Sequence, residues 1–424
     1  MQSQEQLQEH SPEPPQPHPV GSDGNVFLLM ASQACFSATS MTFIAFAGVA
    51  GRMIAEDAAF ATLPVSLTMV MVALTTGPLS VLMQKYSRRR IFLFGAFSGV
   101  IGALVAALGL YLEDFILFCA ATVFIGPFQA SAQYYRFAAV ESVPSAKSPR
   151  AISLVLLGGV FAALLAPFGS DFFVATILPY TFVGAFIFTA CISLLIMVPL
   201  TLLKTPSVEQ SMQQRNDASP ETGETPARPL LRIVRQPAFV VAVVNGALGY
   251  AMMAFVMTAT PIAMVEFCGF SASTSSWVIS AHVIAMFLPS LITGDLIIRF
   301  GVRPILLCGH AFFAAAFLSA LSSIQLGNFS LALIALGLGW NFCYIGGTTL
   351  LTRVYLPAER GRVQGLNEML VFGSSAVASL AAGVILQYYG WTVVNQAAFV
   401  LLVVAASITI LWAVRSKTTG TVAP

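Results

Sequence analysis

Residues 294–303 read GDLIIRFGVR, and residues 80–89 read SVLMQKYSRR. Each segment carries basic side chains and lies between two long apolar stretches, although only 9% of the residues in the chain are charged. The two segments are separated by about half of the 424-residue chain. A basic segment that returns at this distance indicates an internal repeat, with one copy in each half of the chain.

The composition indicates a protein that lies in lipid. Hydrophobic residues make up 57% of the chain and the mean hydropathy is +0.83, well above the usual values for soluble globular proteins. A spanning helix needs roughly 20 mostly apolar residues. The chain offers twelve such stretches, at about 26–50, 58–83, 91–111, 115–137, 150–169, 174–203, 237–262, 274–297, 303–323, 327–350, 363–387 and 391–414. We expect α-helices, because the backbone must satisfy its own hydrogen bonds in lipid and the period-two alternation of a membrane barrel is missing.

The basic residues predict how these helices are oriented. All of them except Arg52 fall at the ends of helices or in loops on one face, or in the C-terminal tail. The loops are those between helices 2 and 3, 4 and 5, 6 and 7, 8 and 9, and 10 and 11. Because Lys and Arg collect on the cytoplasmic side of short loops, we expect a multi-pass protein of the cell inner (plasma) membrane with both termini in the cytoplasm.

The same pattern divides the chain into five parts. A polar, Pro-containing segment between the sixth and seventh stretches is typical of a flexible linker. We predict a disordered cytoplasmic tail (1–25), a six-helix bundle (26–203), a cytoplasmic linker (204–236), a second six-helix bundle (237–414) and a short cytoplasmic tail (415–424).

The two basic segments resemble the signature loop of the major facilitator superfamily, G-x-L-a-D-R-x-G-R-R. The second copy keeps Gly294, Leu296, Arg299, Gly301 and Arg303 of that pattern. It has Ile298 where the pattern has Asp. The first copy has Gln84 at that position and Ser87 for the second Gly. The resemblance covers residues 26–414. It implies an all-α membrane protein of twelve transmembrane helices in two pseudo-symmetric six-helix bundles. Such a protein is a secondary transporter that works by alternating access and uses no cofactor.

The resemblance also implies a gating role for the basic loops. In the family, the basic side chains hold neighbouring helix ends in the outward-facing state, as cations do at helix C-termini. The alternative is that they only set the topology. The gating candidates are Lys85, Arg88, Arg89, Arg136, Asp295, Arg299 and Arg303.

Two ionisable residues inside the spans are candidates for carrying a coupled proton, because ionisable groups in lipid are costly. His282 lies near the middle of helix 8, where it could titrate near neutral pH. Its alternative is a neutral histidine bonded to a neighbouring helix. Glu368 lies early in helix 11, and its alternative is a pair with an arginine of loop 10–11 or loop 8–9.

Uncharged polar and aromatic residues mark a candidate substrate cavity on helices 1, 4, 7 and 10, which line the cavity in the family. They are Gln33, Ser37, Gln129, Gln133, Asn245, Tyr250, Trp340, Asn341 and Tyr344. The alternative is that these side chains only join helices by hydrogen bonds.

The function classes that remain are all membrane functions. No nucleotide-binding loop, protease motif or metal-site motif is present, which argues against an ATP-driven pump and an enzyme. The net charge of +2 suggests no nucleic-acid partner. We expect a monomer whose partners are the lipid bilayer, a small-molecule substrate and, if transport is coupled, protons.

The sequence is compatible with two directions of transport. Small residues in helix 5, Ser153, Ala162, Ala166 and Ser170, with Pro167, occupy positions of the family's antiporter motif. They favour proton-linked export of an amphipathic compound. Uptake or facilitated diffusion of a nutrient, vitamin or metal-bearing compound is the alternative. A receptor or assembly protein that transports nothing is a remote one.

Overall fold

The computed structural model describes residues 23–56, 60, 63–161, 182–204 and 227–418, and the regular elements among them are all helices. The other residues include most of the predicted N-terminal tail, the centre of the linker and the end of the C-terminal tail. Ala162, Ala166, Pro167 and Ser170 of the helix 5 pattern also lie outside the described residues.

Within the described residues, twelve helices follow the order that the sequence predicts, and the fifth of them is described only in part. In the first half they are α1 (Asp23–Ile54), α2 (Leu63–Tyr86), α3 (Arg88–Tyr111), α4 (Phe115–Glu141), α5 (described over 148–161) and α6 (Val183–Leu202). In the second half they are α7 (Pro237–Ile262), α8 (Ala272–Phe287 and Ser290–Phe300), α9 (Val302–Ser322), α10 (Leu326–Leu351), and α11 and α12 within Arg360–Thr418.

The lengths of these helices confirm the all-α membrane fold. Within the described residues, 10 helical stretches are long and apolar enough to cross a membrane. The last of them contains two spans, which the non-helical residue Gly390 (φ 80°) divides into α11 and α12. The span predicted at 150–169 is described only as far as residue 161, as α5.

The turns between α2 and α3 and between α8 and α9 share one backbone conformation. Gly301 has φ 83° and ψ 167°, and Ser87 has φ 93° and ψ 146°. This region of φ and ψ is almost restricted to glycine. The repeated basic segments therefore form the same turn in both halves, and only the second copy has the residue that suits it.

The two halves meet at the end of the molecule that carries these turns, which we call the basic end. On α2, the hydroxyl of Ser80 donates to the carbonyl of Gly361 at 2.8 Å. A Cβ on Gly365 of α11 would lie 3.2 Å from Cβ of Ser80 and 3.4 Å from Cα of Gly77. A Cβ on Gly294 of α8 would lie 2.7 Å from Cα of Arg150 of α5. Small residues thus let α2 approach α11, and α5 approach α8, closely enough to close the basic end.

Each end of the segment that joins the halves is bound to its own half. The amide of Asn25 in α1 donates to the carbonyl of Lys204 at 2.9 Å and accepts from its backbone N–H at 3.1 Å. Arg228 binds the carboxylate of Glu359 through Nε at 2.8 Å and Nη2 at 2.7 Å. The backbone N–H of Arg228 donates to the same carboxylate at 2.8 Å.

Candidate functional site

A buried ion pair joins the two halves close to the basic end. Nη2 of Arg136 in α4 lies 2.5 Å from Oε1 of Glu368 in α11, and the side chains are 2% and 0% exposed. Between its segments Thr122–Ala132 and Tyr135–Glu141, α4 is interrupted at Gln133, whose carbonyl accepts from Nη1 of Arg136 at 2.8 Å. The amide of Asn367 also donates to Oε1 of Glu368, at 2.6 Å. The pair therefore carries no net charge and lies on helices of opposite halves.

Aromatic rings enclose the guanidinium of this pair. The Arg136 guanidinium lies 4.6 Å from the ring centroid of Phe137 and 4.5 Å from that of Tyr344. A cation over an aromatic face is attracted by the ring quadrupole, more strongly where water is excluded. Because Phe137 belongs to the first half and Tyr344 to the second, the guanidinium contributes a second contact between the halves.

Tyr344 is also part of a larger aromatic cluster, which we call the ring cluster: Tyr250, Phe287, Trp340, Tyr344 and Phe372. Trp340 and Tyr344 stack with centroids 4.6 Å apart. Tyr250 lies 5.6 Å from Trp340, 5.7 Å from Tyr344 and 5.3 Å from Phe372. Phe287 lies 5.7 Å from Trp340.

The ring cluster reaches from the ion pair to the middle of the membrane span. At a rise of 1.5 Å per residue, Tyr344 stands roughly 10 Å and Trp340 roughly 16 Å from the end of α10 at the basic end. The hydrocarbon core of a bilayer is about 30 Å thick, so Trp340 lies near its midplane. Phe287 packs against Gly159 of α5, where a Cβ would lie 2.6 Å from the ring. The cluster therefore lies between the halves.

The ring cluster and the ion pair together contain five of the predicted site residues, three from the predicted cavity and two predicted for other roles. Tyr250, Trp340 and Tyr344 were predicted for the cavity, Glu368 for proton coupling and Arg136 for gating. The pairing of Glu368 differs from the alternative considered above. Its partner is Arg136 of α4, not an arginine of loop 10–11 or loop 8–9.

The polar cavity candidates of α1 and α4 lie on helices of the first half. Gln33 donates to Ser37 at 3.1 Å within α1. Gln129, which is half-buried like Gln133, lines a small cavity inside the first half. The other residues of its lining are Thr39, Ser40, Phe43, Gly99, Ile125, Phe128 and Thr189. The cavity role of these glutamines stays a prediction.

The two asparagines predicted for the cavity join helices of the second half. Asn245 donates to Thr409 of α12 at 2.9 Å. Asn341 donates to Ser290 of α8 at 2.8 Å and accepts from Thr293 at 2.7 Å. Their contacts are those of the alternative, interhelical hydrogen bonding, and a role in the cavity stays a prediction.

His282 is fully buried between α8 and α10. Its Nδ1 lies 2.7 Å from the carbonyl oxygen of Leu333, so Nδ1 is the protonated nitrogen that donates. Its Nε2 has no hydrogen-bond partner in the part of the chain that the structure describes. The side chain can accept a proton at Nε2, and its coupling role stays a prediction.

The predicted gating residues differ in what they contact. Arg88 pairs with Glu141, with Nε 2.8 Å from Oε2, and its Nη2 donates to Gln364 of α11 at 2.9 Å. Arg360 of α11 lies 3.2 Å from the same Glu141, so this network also joins the halves. Glu141 and Gln364 were not among the residues predicted from the sequence. Glu141 could have been found as a carboxylate at the end of a spanning helix, α4.

The remaining gating candidates make weaker contacts. Asp295 lies 3.8 Å from Arg150 of α5, and both side chains are exposed. The others contact aromatic rings or lie at a helix start: Lys85 over Tyr86, Arg299 over Phe300, Arg303 over Trp412, and Arg89 half-buried at the start of α3.

Comparison with known families identifies the architecture. The model of the Major Facilitator Superfamily matches residues 28–260 and again residues 243–423. The chain belongs to the major facilitator superfamily. Its members are membrane transporters, so this chain is a multi-pass membrane transporter, and transport implies a small-molecule substrate.

Curated relatives within the superfamily cover most of the chain. A protein named riboflavin transporter RfnT, from Brucella anthropi, is 38% identical over 375 residues, which are 88% of this chain and 92% of that protein. An uncharacterized MFS-type transporter of Bacillus subtilis, YddS, is 26% identical over 75% of this chain and 74% of its own length.

Solved structures of the superfamily share the fold. A bacterial homologue of the iron transporter ferroportin in an outward-facing state matches with a TM-score of 0.70, at 14% identity, over 92% of this chain and 99% of its own. The proton:xylose symporter XylE matches with a TM-score of 0.73, at 13% identity, over 91% of this chain and 94% of its own. At this identity the likeness concerns the fold alone.

Proposed function

We propose that this transporter carries riboflavin, or a compound with the same ring system, into the cell. The observation that carries the proposal is the 38% identity with a riboflavin transporter over 88% of this chain. Of the alternatives that the sequence leaves open, uptake of a nutrient or vitamin is therefore better supported than export of an amphipathic compound.

The chemistry of the ring cluster agrees with such a substrate. Flavins present a flat, mostly apolar ring system with a few polar edges. Tyr250, Trp340 and Tyr344 offer aromatic faces and edges at the depth where superfamily transporters bind substrate. Aromatic pairs in offset or edge-to-face geometry contribute about 0.5–1.5 kcal/mol beyond the area that they bury. We propose that the ring cluster binds the substrate ring.

Uptake requires that a known end of the molecule faces the cytoplasm, and the basic loops indicate which end that is. With the basic end in the cytoplasm, as the distribution of Lys and Arg favours, the contacts of α2 with α11 and of α5 with α8 close the cytoplasmic side. The arrangement described above then corresponds to a transporter closed to the cytoplasm, ready to receive substrate from outside.

The Arg136–Glu368 pair is the proposed link between proton binding and opening. Protonation of Glu368 would remove the charge that attracts Arg136, and the halves could then separate at the basic end. The other groups near the Glu368 carboxylate are Asn367 and the phenols of Tyr134, Tyr250 and Tyr344. Arg136 is thus the one permanent charge among these neighbours.

The test is uptake of labelled riboflavin by a bacterial strain that can neither make nor import it. Expression of this chain should restore growth on micromolar riboflavin and give uptake that excess unlabelled riboflavin abolishes. Trp340→Ala should reduce this uptake while the protein still reaches the membrane. Inverted membrane vesicles test the opposite direction. A chain that is present in the membrane and moves no riboflavin in either preparation would refute the proposal.

A further inference from the structure

The Arg136–Glu368 pair has two buried polar atoms that no hydrogen bond fills among the described residues. Nη2 of Arg136 and Oε1 of Glu368 make the contact. Nε of Arg136 and Oε2 of Glu368 are both buried, and neither has a partner among the described residues. Buried polar atoms are nearly always hydrogen-bonded, and an arginine and a carboxylate usually meet through two parallel bonds. One donor and one acceptor on adjoining side chains are therefore left for another molecule.

A third unfilled group belongs to the same region. Nε1 of Trp340 is buried and donates to no acceptor in the described part of the chain. The Trp340 ring stacks on Tyr344, and Tyr344 in turn lies 4.5 Å from the Arg136 guanidinium. The ring cluster and the ion pair are thus in continuous contact, and together they offer two N–H donors and one carboxylate acceptor.

We propose that these three groups recognise the imide edge of a planar heterocycle. An imide edge presents two carbonyl acceptors and one N–H donor, which is the complement of two donors and one acceptor. The ring N–H donates to Oε2 of Glu368, and the carbonyls accept from Nε of Arg136 and Nε1 of Trp340. This assignment rests on the proposed function, because the flavin ring system carries such an edge.

The charge of the site favours a neutral ring edge over a charged group. Arg136 and Glu368 neutralise each other, and no further charged side chain is in contact with the pair among the described residues. A ligand carboxylate or ammonium would bring a buried charge without a counter-charge, which is strongly unfavourable. A neutral edge fills the free atoms without separating the pair.

The experiment compares ligands that differ only at the imide N–H. Binding to the purified full-length transporter is measured by isothermal calorimetry for riboflavin and for 3-methylriboflavin, in which a methyl group replaces the imide hydrogen. Hydrogen bonds to charged groups predict that the methyl compound binds roughly 10- to 100-fold more weakly than riboflavin.

One double variant and its matched control test whether the Arg136–Glu368 pair causes the preference for riboflavin over its 3-methyl derivative. Arg136→Met with Glu368→Leu removes both charges together, a replacement that buried pairs often tolerate, and should bring the two affinities to within about threefold. The matched control is Thr258→Val with Ser379→Ala, which removes another polar contact, 3.1 Å long, between α7 and α11. The control should keep the preference of the wild type.

The outcomes separate this inference from the proposed function. Equal binding of riboflavin and its 3-methyl derivative by the wild type, or a preference that survives in the Arg136–Glu368 double variant, would overturn the imide assignment and leave riboflavin transport standing. If riboflavin does not bind at all, the proposed function fails. The pair lumazine and 3-methyllumazine then tests the edge alone, and the absence of any preference between them would overturn the inference as well.

Discussion

Ser87 and Gly301 occupy equivalent positions in the two halves, yet they differ in how well they suit their backbone. Both have positive φ, at 93° and 83°. Non-glycine residues in this region cost on the order of 1–3 kcal/mol. The turn after α2 therefore carries strain that the turn after α8 does not, and the strain lies beside the Arg88 network that joins the halves.

Ser87→Gly should raise the free energy of unfolding by roughly 1 kcal/mol, because glycine adopts this conformation without a steric penalty. Gly301→Ala should lower it by about 1–3 kcal/mol. A Cβ on Gly301 would meet no atom within 4 Å, so the second variant reports backbone strain alone. Thermal unfolding of the purified variants in detergent measures both, and equal midpoints for all three proteins would contradict the argument.

The proton-coupling role of Glu368 is also tested at the residue scale. Glu368→Gln keeps a hydrogen-bonding side chain opposite Arg136 but cannot change its charge. We expect accumulation driven by a pH gradient to fall to the equilibrium level. Exchange of substrate at saturating concentration and equal pH should continue, because exchange moves no net proton. Transport of labelled riboflavin into proteoliposomes measures both activities.

His282→Gln is the matched comparison for Glu368→Gln, since His282 is the other candidate and is equally buried. It should keep gradient-driven accumulation if Glu368 carries the proton. The reverse result, with accumulation lost only in the histidine variant, would assign the proton to Nε2 of His282.

At the scale of elements, the close approach of α2 and α11 closes the basic end. Gly365→Leu places a large side chain against Gly77 and Ser80, and overpacking of this kind costs about 1–3 kcal/mol. That cost falls only on the state that is closed at the basic end. The equilibrium between the closed and open states should therefore shift roughly 5- to 150-fold toward the open state.

The measurement for this variant is the labelling rate of a cysteine introduced at Gln84, one turn from Ser80 on α2, where α2 contacts α11. Gly365→Leu should increase labelling from the basic end. Gly373→Leu is the control on the same helix, because a Cβ on Gly373 would meet no atom within 4 Å. Equal labelling rates in the two leucine variants would contradict the role of the α2–α11 contact in closing the basic end.

The sequence predicts the helices well because lipid leaves so few choices. Twenty apolar residues must form a helix in the bilayer, and the basic loops mark the ends of most helices. The break in α4 at Gln133 is not predictable in this way, since no Pro or Gly stands at it. That break supplies the carbonyl that binds Arg136.

The site was predictable only as separate residues. Glu368 and Arg136 each stood out as an ionisable group in an apolar helix, but they are 232 positions apart, and no local pattern pairs them. The ring cluster was predictable in part, since Trp340 and Tyr344 are one turn apart on α10. Phe287 and Phe372 were not, because no pattern distinguishes these two among the 33 phenylalanines of the chain.

At the scale of the whole molecule, Glu359 fixes the second end of the linker to its half. This carboxylate lies in the turn before α11, and the hydrogen bonds from Arg228 lower its pKa to about 2. A depressed carboxylate pKa stabilises the fold above the unfolded value of about 4.3. The stabilisation is lost as the pH falls through about 2. The Arg228–Glu359 contact should therefore be constant across physiological pH.

Glu359→Gln should free this end of the linker, lowering the free energy of unfolding by roughly 2 kcal/mol, because hydrogen bonds to a charged group are lost from a part-buried pair. It should also speed hydrogen exchange at the backbone N–H of Arg228, which donates to the Glu359 carboxylate at 2.8 Å. Hydrogen–deuterium exchange followed by mass spectrometry of peptides that cover Arg228 measures the rate. An unchanged exchange rate at Arg228 would mean that its backbone is held by other contacts.

The anchors at Lys204 and Arg228 have a consequence for how the gene can be divided. Every contact described at the two anchors is made within one half, so a break in residues 205–226 interrupts none of them. Two separate messages, encoding residues 1–215 and 216–424, should then yield partners that recognise each other through the glycine faces of α2, α8 and α11. Co-purification of one fragment by an affinity tag on the other, with riboflavin uptake restored only when both are made, is the expected result. The covalent connection would then matter for synthesis in equal amounts rather than for the transport cycle.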